Sequence, residues 1–255
     1  MRCHYGHCLP FGLKENHTMS APTIQDILPL LQMPSRYLGS EVNRVKKAWQ
    51  SVPLHLALAF PDLYEIATSH FGIQILYDLV NAQPDILAER VYAPAVDLED
   101  HLRRQRIPLC SLESGTPLKQ FDIVGFSLLY ELNYTNMVNM LDLAKIPFLA
   151  SARQSDHPLL IAGGPCTCNP EPVADFFDAI VVGDGEVVML QMTDAWRGWR
   201  RSSGSKEALL ERWSRIKGVY VPSFFDVDQL VDGRQGLIAK RPGYSFVEKA
   251  LVADL

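Results

Sequence analysis

The sequence predicts a doubly wound, mostly parallel α/β sheet followed by a C-terminal β-hairpin. Three observations carry this expectation. Apolar strand-like runs alternate with amphipathic helix-like runs from Leu54 to Ile216. The βα units recur at intervals of roughly 30 residues, the length that a crossover between parallel strands requires. The composition, 47% hydrophobic and 21% charged over 255 residues, supplies a core without disulfide staples and excludes disordered, collagen-like and coiled-coil chains.

The elements follow in order. Residues 23-33 read as a short apolar helix, and Pro34 to Asn43 as an extended arm or loop. Leu54 to Phe60 is a buried strand that ends at Pro61-Asp62. His70 to Asn81 carries Phe71, Ile75, Leu76 and Leu79 close to the 3.6-residue period of a helix. Ala88 to Ala93 is a second strand. Asp97 to Arg106 is a charged helix with Asp97 as N-cap. Asp122 to Leu128 is a third strand, and Asn133 to Ala144 a helix with Met137, Met140 and Leu141 on one face. Strands at Pro158 to Ala162 and Ala179 to Val182 precede helices at Glu186 to Arg200 and Lys206 to Ile216. Two β-like runs, from Gly218 and from Leu237, flank Asp232-Gly233, a hairpin signal. No further element is read after them.

This organisation divides the chain into a flexible extension (1-18), an N-terminal arm (19-50), a Rossmann-like domain (51-217) and a hairpin with linker (218-255). Residues 1-18 mix Cys, His, Gly and Pro without a period. A metal knuckle from Cys3, His4, His7 and Cys8 is the rival reading there, although zinc prefers two separated ligand pairs and no second pair is evident.

Twenty-four basic against 29 acidic residues give a net charge of -5, with no strong nucleic-acid signal. No apolar run approaches the roughly 20 residues of a membrane span. Five cysteines and no secretory signal point to a reduced, cytoplasmic setting. Cys110 reads as a small buried hydrophobe. Cys166 and Cys168 lack C-x-x-C spacing, and two thiolates alone do not complete a zinc or iron-sulfur site.

Chemistry is expected beyond the carboxyl ends of the strands, where open α/β sheets bind ligands. Four loops lie there: Phe60-Pro-Asp-Leu-Tyr-Glu65, Ser127-Leu-Leu-Tyr-Glu-Leu-Asn133, Gly163-Gly-Pro-Cys-Thr-Cys-Asn-Pro-Glu171 and Gly183-Asp-Gly-Glu186. Their glycines either admit close approach of a phosphate- or amide-bearing tail to the backbone, or serve turns of positive φ. Asp62, Glu65 and Glu131 are candidate acid/base groups, or caps and surface carboxylates. His55 and His70 read as strand and helix-start residues. No Gly-Lys-Ser/Thr phosphate loop and no G-x-G-x-x-G follows the first strand, which argues against nucleotide hydrolysis and dinucleotide binding.

Several stretches together resemble a known family. They are Arg36-Tyr-Leu-Gly-Ser-Glu-Val-Asn43, Phe60-Pro-Asp-Leu-Tyr-Glu65, Ala88-Glu-Arg-Val-Tyr-Ala-Pro94, Ile107-Pro-Leu-Cys-Ser-Leu-Glu-Ser114 and Phe121-Asp-Ile-Val-Gly-Phe-Ser-Leu128. Tyr130-Glu-Leu-Asn-Tyr-Thr-Asn136, Gly163-Gly-Pro165, Asn169-Pro-Glu-Pro172 and Gly183-Asp-Gly-Glu186 complete the set. From about residue 30 onward the chain resembles the N-terminal, cobalamin-binding-like region of radical S-adenosylmethionine proteins.

The resemblance implies a flavodoxin-like, cobalamin-domain-like fold and a role as accessory domain, holding a corrinoid over the active site of a radical core. Asp62, Tyr64, Ser127, Tyr130, Gly163, Gly164, Pro165, Gly183, Gly185 and Glu186 would line that cofactor. The core itself would bind a 4Fe-4S cluster and S-adenosylmethionine through C-x-x-x-C-x-x-C. That triplet is absent here, so the core is expected elsewhere, in the same or a split chain, and no catalytic or metal-ligating residue is assigned. A second departure concerns the D-x-H-x-x-G pattern of cobalamin domains that supply a lower ligand. Here Asp62 is followed by Tyr64 in the His position and Ala67 in the Gly position, so no His below the cobalt is expected. The alternative is an interaction or small-ligand-sensing module that kept the fold and lost the cofactor.

Overall fold

A computed structural model describes residues 22–229 and 231–252. The extension and knuckle expected at 1-18 lie outside the described residues. Five parallel strands form the body of the sheet: β1 (Leu54–Phe60), β2 (Ile86–Tyr92), β3 (Ile123–Ser127), β4 (Leu159–Gly163) and β5 (Ala179–Val181). A short antiparallel strand, β6 (Val219–Tyr220), closes the far edge. The order β2-β1-β3-β4-β5-β6 is that of a flavodoxin-like doubly wound sheet with one added strand.

The helices are α1 (Ile24–Ile27), α2 (Tyr64–Ala67), α3 (Phe71–Asn81), α4 (Val96–Gln105), α5 (Asn133–Ala144), α6 (Glu186–Ser202) and α7 (Lys206–Trp213). α3 packs on α6, and α4 on α5. Buried on both faces, β3, β4 and β5 are near-continuous apolar runs rather than alternating ones, whereas β2 carries buried Glu89 and Arg90.

The N-terminal arm covers the outer side of β2, which explains why all seven residues of that edge strand are buried. Tyr37 Oη accepts from the Ala95 amide at 3.0 Å, and Tyr77 Oη accepts from the Val45 amide at 2.9 Å. Lys47 Nζ donates to the carbonyls of Asn81, Gln83 and Ile86. Within β2, Arg90 pairs with Glu113 at 2.6 Å, and the other oxygen of Glu113 accepts the Arg90 amide at 2.7 Å. A carboxylate thus stands in for a neighbouring strand.

Four details differ from the sequence expectations. The helix expected over 23-33 is one α-turn, α1, followed by a 3₁₀ turn at Leu28–Leu30, because Pro29 removes a helical donor. Pro34–Tyr37 also forms a 3₁₀ turn. Asp97 is not the N-cap of α4. Ala95 holds that position, and the Asp97 carboxylate accepts the Gln32 amide of the arm at 2.8 Å.

The fourth difference concerns the tail. The run from Gly218 does not enter the hairpin as a whole. Gly218, at φ 86°, turns the chain back so that β6 pairs with β5. The hairpin is β7 (Phe225–Gln229) with β8 (Gln235–Ala239). The chain then returns to the sheet, where Ala250 bridges Gly183 in parallel. The Ala250 amide donates to Val182 O at 2.9 Å, and the Asp184 amide to Ala250 O at 3.0 Å. No periodic pattern announces a contact this short.

Candidate binding cavity at the carboxyl edge of the sheet

Parallel topology brings the loops after β1, β3, β4 and β5 to one edge. There a cavity of about 320 Å³ lies between the sheet and helices α3 and α6. Its origin is legible in the strand register. Leu58, Gly125 and Ile161 stand abreast on β1, β3 and β4, as do Ser127 and Gly163 one step nearer the edge. Gly125, Ser127 and Gly163 leave the sheet almost bare where branched side chains would fill the layer below the helices. A glycine inside a buried strand weakens it and marks a place of close approach. Leu58, Ile73, Leu76, Ile161 and Met189 form the apolar walls.

Two polar side chains reach this cavity from helix starts. His70 is the N-cap of α3, and Glu186 is the first residue of α6. His70 Nδ1 and Glu186 Oε2 are buried without a hydrogen-bond partner. Burial holds the His70 imidazole below its ordinary pKa and so favours its neutral form. An orphaned buried polar atom costs about 1–3 kcal/mol unless something meets it. His70 also packs on Phe60, with ring centroids 5.1 Å apart.

The ten residues assigned from sequence divide into three groups. Ser127, Gly163, Gly164, Pro165, Gly183, Gly185 and Glu186 line the cavity. Asp62 and Tyr130 meet outside its lining: the Tyr130 phenol donates to Asp62 Oδ2, and this bond raises the phenol's pKa. Nearby, Asn133 and Asn136 donate to Pro61 O at 3.1 and 3.0 Å. These contacts latch the β1 and β3 loops together across the point where the strand order reverses. Tyr64 turns toward the arm, where its hydroxyl donates to Glu41 at 3.0 Å and its ring meets Tyr92 edge-on. Burial first, and the Glu41 carboxylate second, raise its pKa.

Glycine roles are equally specific. Gly164 has φ 106°, and a Cβ there would stand 2.7 Å from Leu128 O. Gly183 has φ 109°, and its Cβ would stand 2.1 Å from Ala250 O. Both let the chain pass close to its own backbone. By contrast, Gly163 and Gly185 have no positive φ. A Cβ at Gly163 meets only Val181, at 3.9 Å, and one at Gly185 meets Leu76 at 3.6 Å. These two keep the cavity open.

The sequence reading missed the cavity-lining roles of Gly125, Ile73, Leu76 and Met189, and took His70 only as a helix start. Gly125 carried a usable signal as a lone glycine inside an apolar run. The cysteines stand apart. Burial pushes the Cys110 thiol up to about 11 and raises that of Cys166, while Cys168 is exposed. Thr167 between the latter two bonds Val181 O at 2.6 Å and fixes the turn. Among the described residues, no three His, Cys, Asp or Glu side chains gather as a metal site, so these residues do not fit a 4Fe-4S cluster. No described helix is long and apolar enough to cross a membrane.

A stretch of 102 residues is 33% identical to the Uncharacterized protein MJ0966 of Methanocaldococcus jannaschii, covering 37% of this chain and 21% of that protein. The chain thus matches about a fifth of the length of this relative. No solved structure matches. The family profile described as "Radical SAM proteins, N-terminal" matches residues 72–222, from the first turn of α3 past β6, and the chain accordingly belongs to the radical S-adenosylmethionine proteins through their N-terminal region.

Proposed function

We propose that this chain is an accessory domain of a radical S-adenosylmethionine enzyme and that its carboxyl-edge cavity holds the nucleotide tail of a corrinoid. The observation that carries the reading is the cavity floor of Gly125, Ser127 and Gly163. Three adjacent small residues in the centre of a parallel sheet sacrifice packing, and a bound group restores it. The fit is supported by apolar walls of the kind that bury a ring, and by His70 and Glu186, which have unmet polar atoms. Tyr64 is held by Glu41, which agrees with a corrinoid bound without a protein ligand from that position. When bound, the corrinoid would supply a redox-active cobalt centre. The protein's part is to bury the tail, exclude water from it and orient the ring system at the edge of the sheet.

A radical core is the proposed partner. Exposed apolar residues crowd the edge where the cavity opens: Phe71 is 77% exposed, Leu132 78% and Leu251 69%. They stand at the starts of α3 and α5 and on the returning C-terminal segment. Apolar groups grouped around a ligand mouth suit a domain that closes over it.

The test is retention of hydroxocobalamin. The protein should carry near-stoichiometric corrinoid through gel filtration, with an absorption spectrum altered from that of the free compound. An unchanged spectrum and no retention would leave the family assignment standing and remove the corrinoid.

A further inference from the structure

Among the described residues, seven buried side-chain nitrogen or oxygen atoms have no hydrogen-bond partner, and two of these, Asp178 Oδ1 and Arg241 Nε, face the ionic groups of Lys206 and Glu211. Five of the seven belong to Arg44, Arg153, Asp178, Arg197 and Arg241, each of which bonds through another of its atoms. Four of these five belong to residues held in ion pairs, and Arg44 is held by the Gly39 carbonyl. The remaining two are His70 Nδ1 and Glu186 Oε2. Among the described residues, these two are the ones whose side chains make no other bond, and both residues line the cavity.

Their chemistry specifies what would meet them. An ionised carboxylate only accepts hydrogen bonds, whereas a neutral imidazole offers one donor and one acceptor. The burial that favours neutral His70 therefore leaves it able to match either kind of group. The gap lies between two helices and a stretch of sheet where Gly125, Ser127 and Gly163 carry little or no side chain, which leaves room for a flat ring. Apolar Leu76 and Met189 provide the surfaces for its faces.

We infer that the cavity selects a planar nitrogen heterocycle bearing an N–H donor, an amino-purine in type, with Glu186 accepting from the amino group and His70 bonding a ring nitrogen. The inference rests on the proposed ligand-binding reading and sharpens it. A benzimidazole tail, with one ring nitrogen attached to its sugar, offers no N–H donor to Glu186. An adenine tail does. The amino-purine could arrive as the lower base of a corrinoid or as a free adenine nucleoside.

Four probes decide the matter on the full chain by titration calorimetry: an adenine-tailed corrinoid, a benzimidazole-tailed corrinoid, adenosine and the benzimidazole riboside. The adenine-bearing member of each binding pair should be at least about tenfold tighter, which corresponds to about 1.4 kcal/mol. Adenosine binding as tightly as its corrinoid identifies the free nucleoside as sufficient. Binding by the corrinoid alone identifies the tail. Either pattern supports the inference.

Glu186→Met should erase the preference, while Glu186→Gln, which keeps an acceptor, should retain most of it. Melting curves of both variants should stay close to the parent, since no bond is removed. Equal or tighter binding of the benzimidazole-bearing probes would overturn the donor requirement and leave the pocket in place. Binding of none of the four would overturn both this inference and the reading it rests on.

Discussion

Gly163, Gly164, Gly183 and Gly185 look alike in sequence, yet their backbone angles and neighbours assign them opposite duties. Gly164 and Gly183 sit at positive φ against carbonyl oxygens, so replacing Gly164 by Ala should destabilise the protein by about 1–3 kcal/mol. Urea denaturation would show it as a lower midpoint at unchanged slope. Gly185→Ala should leave that midpoint within about 0.5 kcal/mol, because its Cβ meets Leu76 at an ordinary 3.6 Å. A single letter could not distinguish these cases, since the difference lies in a carbonyl contributed by a distant loop. His70 makes a prediction of its own. Its folded pKa is depressed by burial, so the stability linked to its neutral form is present above the unfolded value of about 6.5 and lost as pH falls through the folded one. Melting temperatures of the parent should fall more steeply between about pH 7 and pH 5 than those of His70→Gln. Parallel curves would show that His70 does not titrate in a buried setting.

The strand β2 was legible in the sequence, but the burial of its charged residues was not. Glu89 and Arg90 interrupt an apolar run, yet both are buried, because the arm and the loop carrying Glu113 cover them. The side chains of Arg90 and Glu113 are only 4% and 2% exposed. Truncating one partner of such a pair leaves the other charged and desolvated, so Arg90→Ala should cost about 3–5 kcal/mol. The double variant Arg90→Met with Glu113→Leu should recover much of that loss, and a chemical-denaturation cycle on the three proteins would measure it. At the opposite side of the sheet, the segment around Ala250 depends on the space left by Gly183 and Gly218. Gly183→Ala should release it, seen as faster amide exchange at Ala250 and Val252 while the amides of β1 and β3 remain protected. Val252 donates to Asp184 at 2.9 Å, and exchange there should respond first.

For the molecule as a whole, the alternation of strands and helices was enough to read the doubly wound sheet, because buried parallel strands and amphipathic helices leave strong periodic signals. The carboxyl edge was legible for the same reason: topology alone places the loops after β1, β3, β4 and β5 together. The cavity was only half legible. Its rim residues Gly164, Gly185 and Glu186 follow strands in plain view, but its floor depends on Gly125 standing beside Ile161 and Ser127 beside Gly163, pairings fixed by register. Its polar groups required knowing which buried atoms lack partners. Asp62, Tyr64 and Tyr130, expected from the resemblance to line a cofactor, lie outside the cavity lining, where Tyr130 bonds Asp62 and Tyr64 bonds Glu41 of the arm. The central claim is that the gap above β3 and β4 exists to be filled by a ligand. Gly163→Val tests it most directly, because a Cβ at this cavity-lining position meets only Val181, at an ordinary 3.9 Å. Paired melting and hydroxocobalamin titration curves should show a fold as stable as the parent's, or slightly more so as apolar surface fills the void, together with at least tenfold weaker binding. Undiminished affinity in a folded Gly163→Val protein would contradict the account.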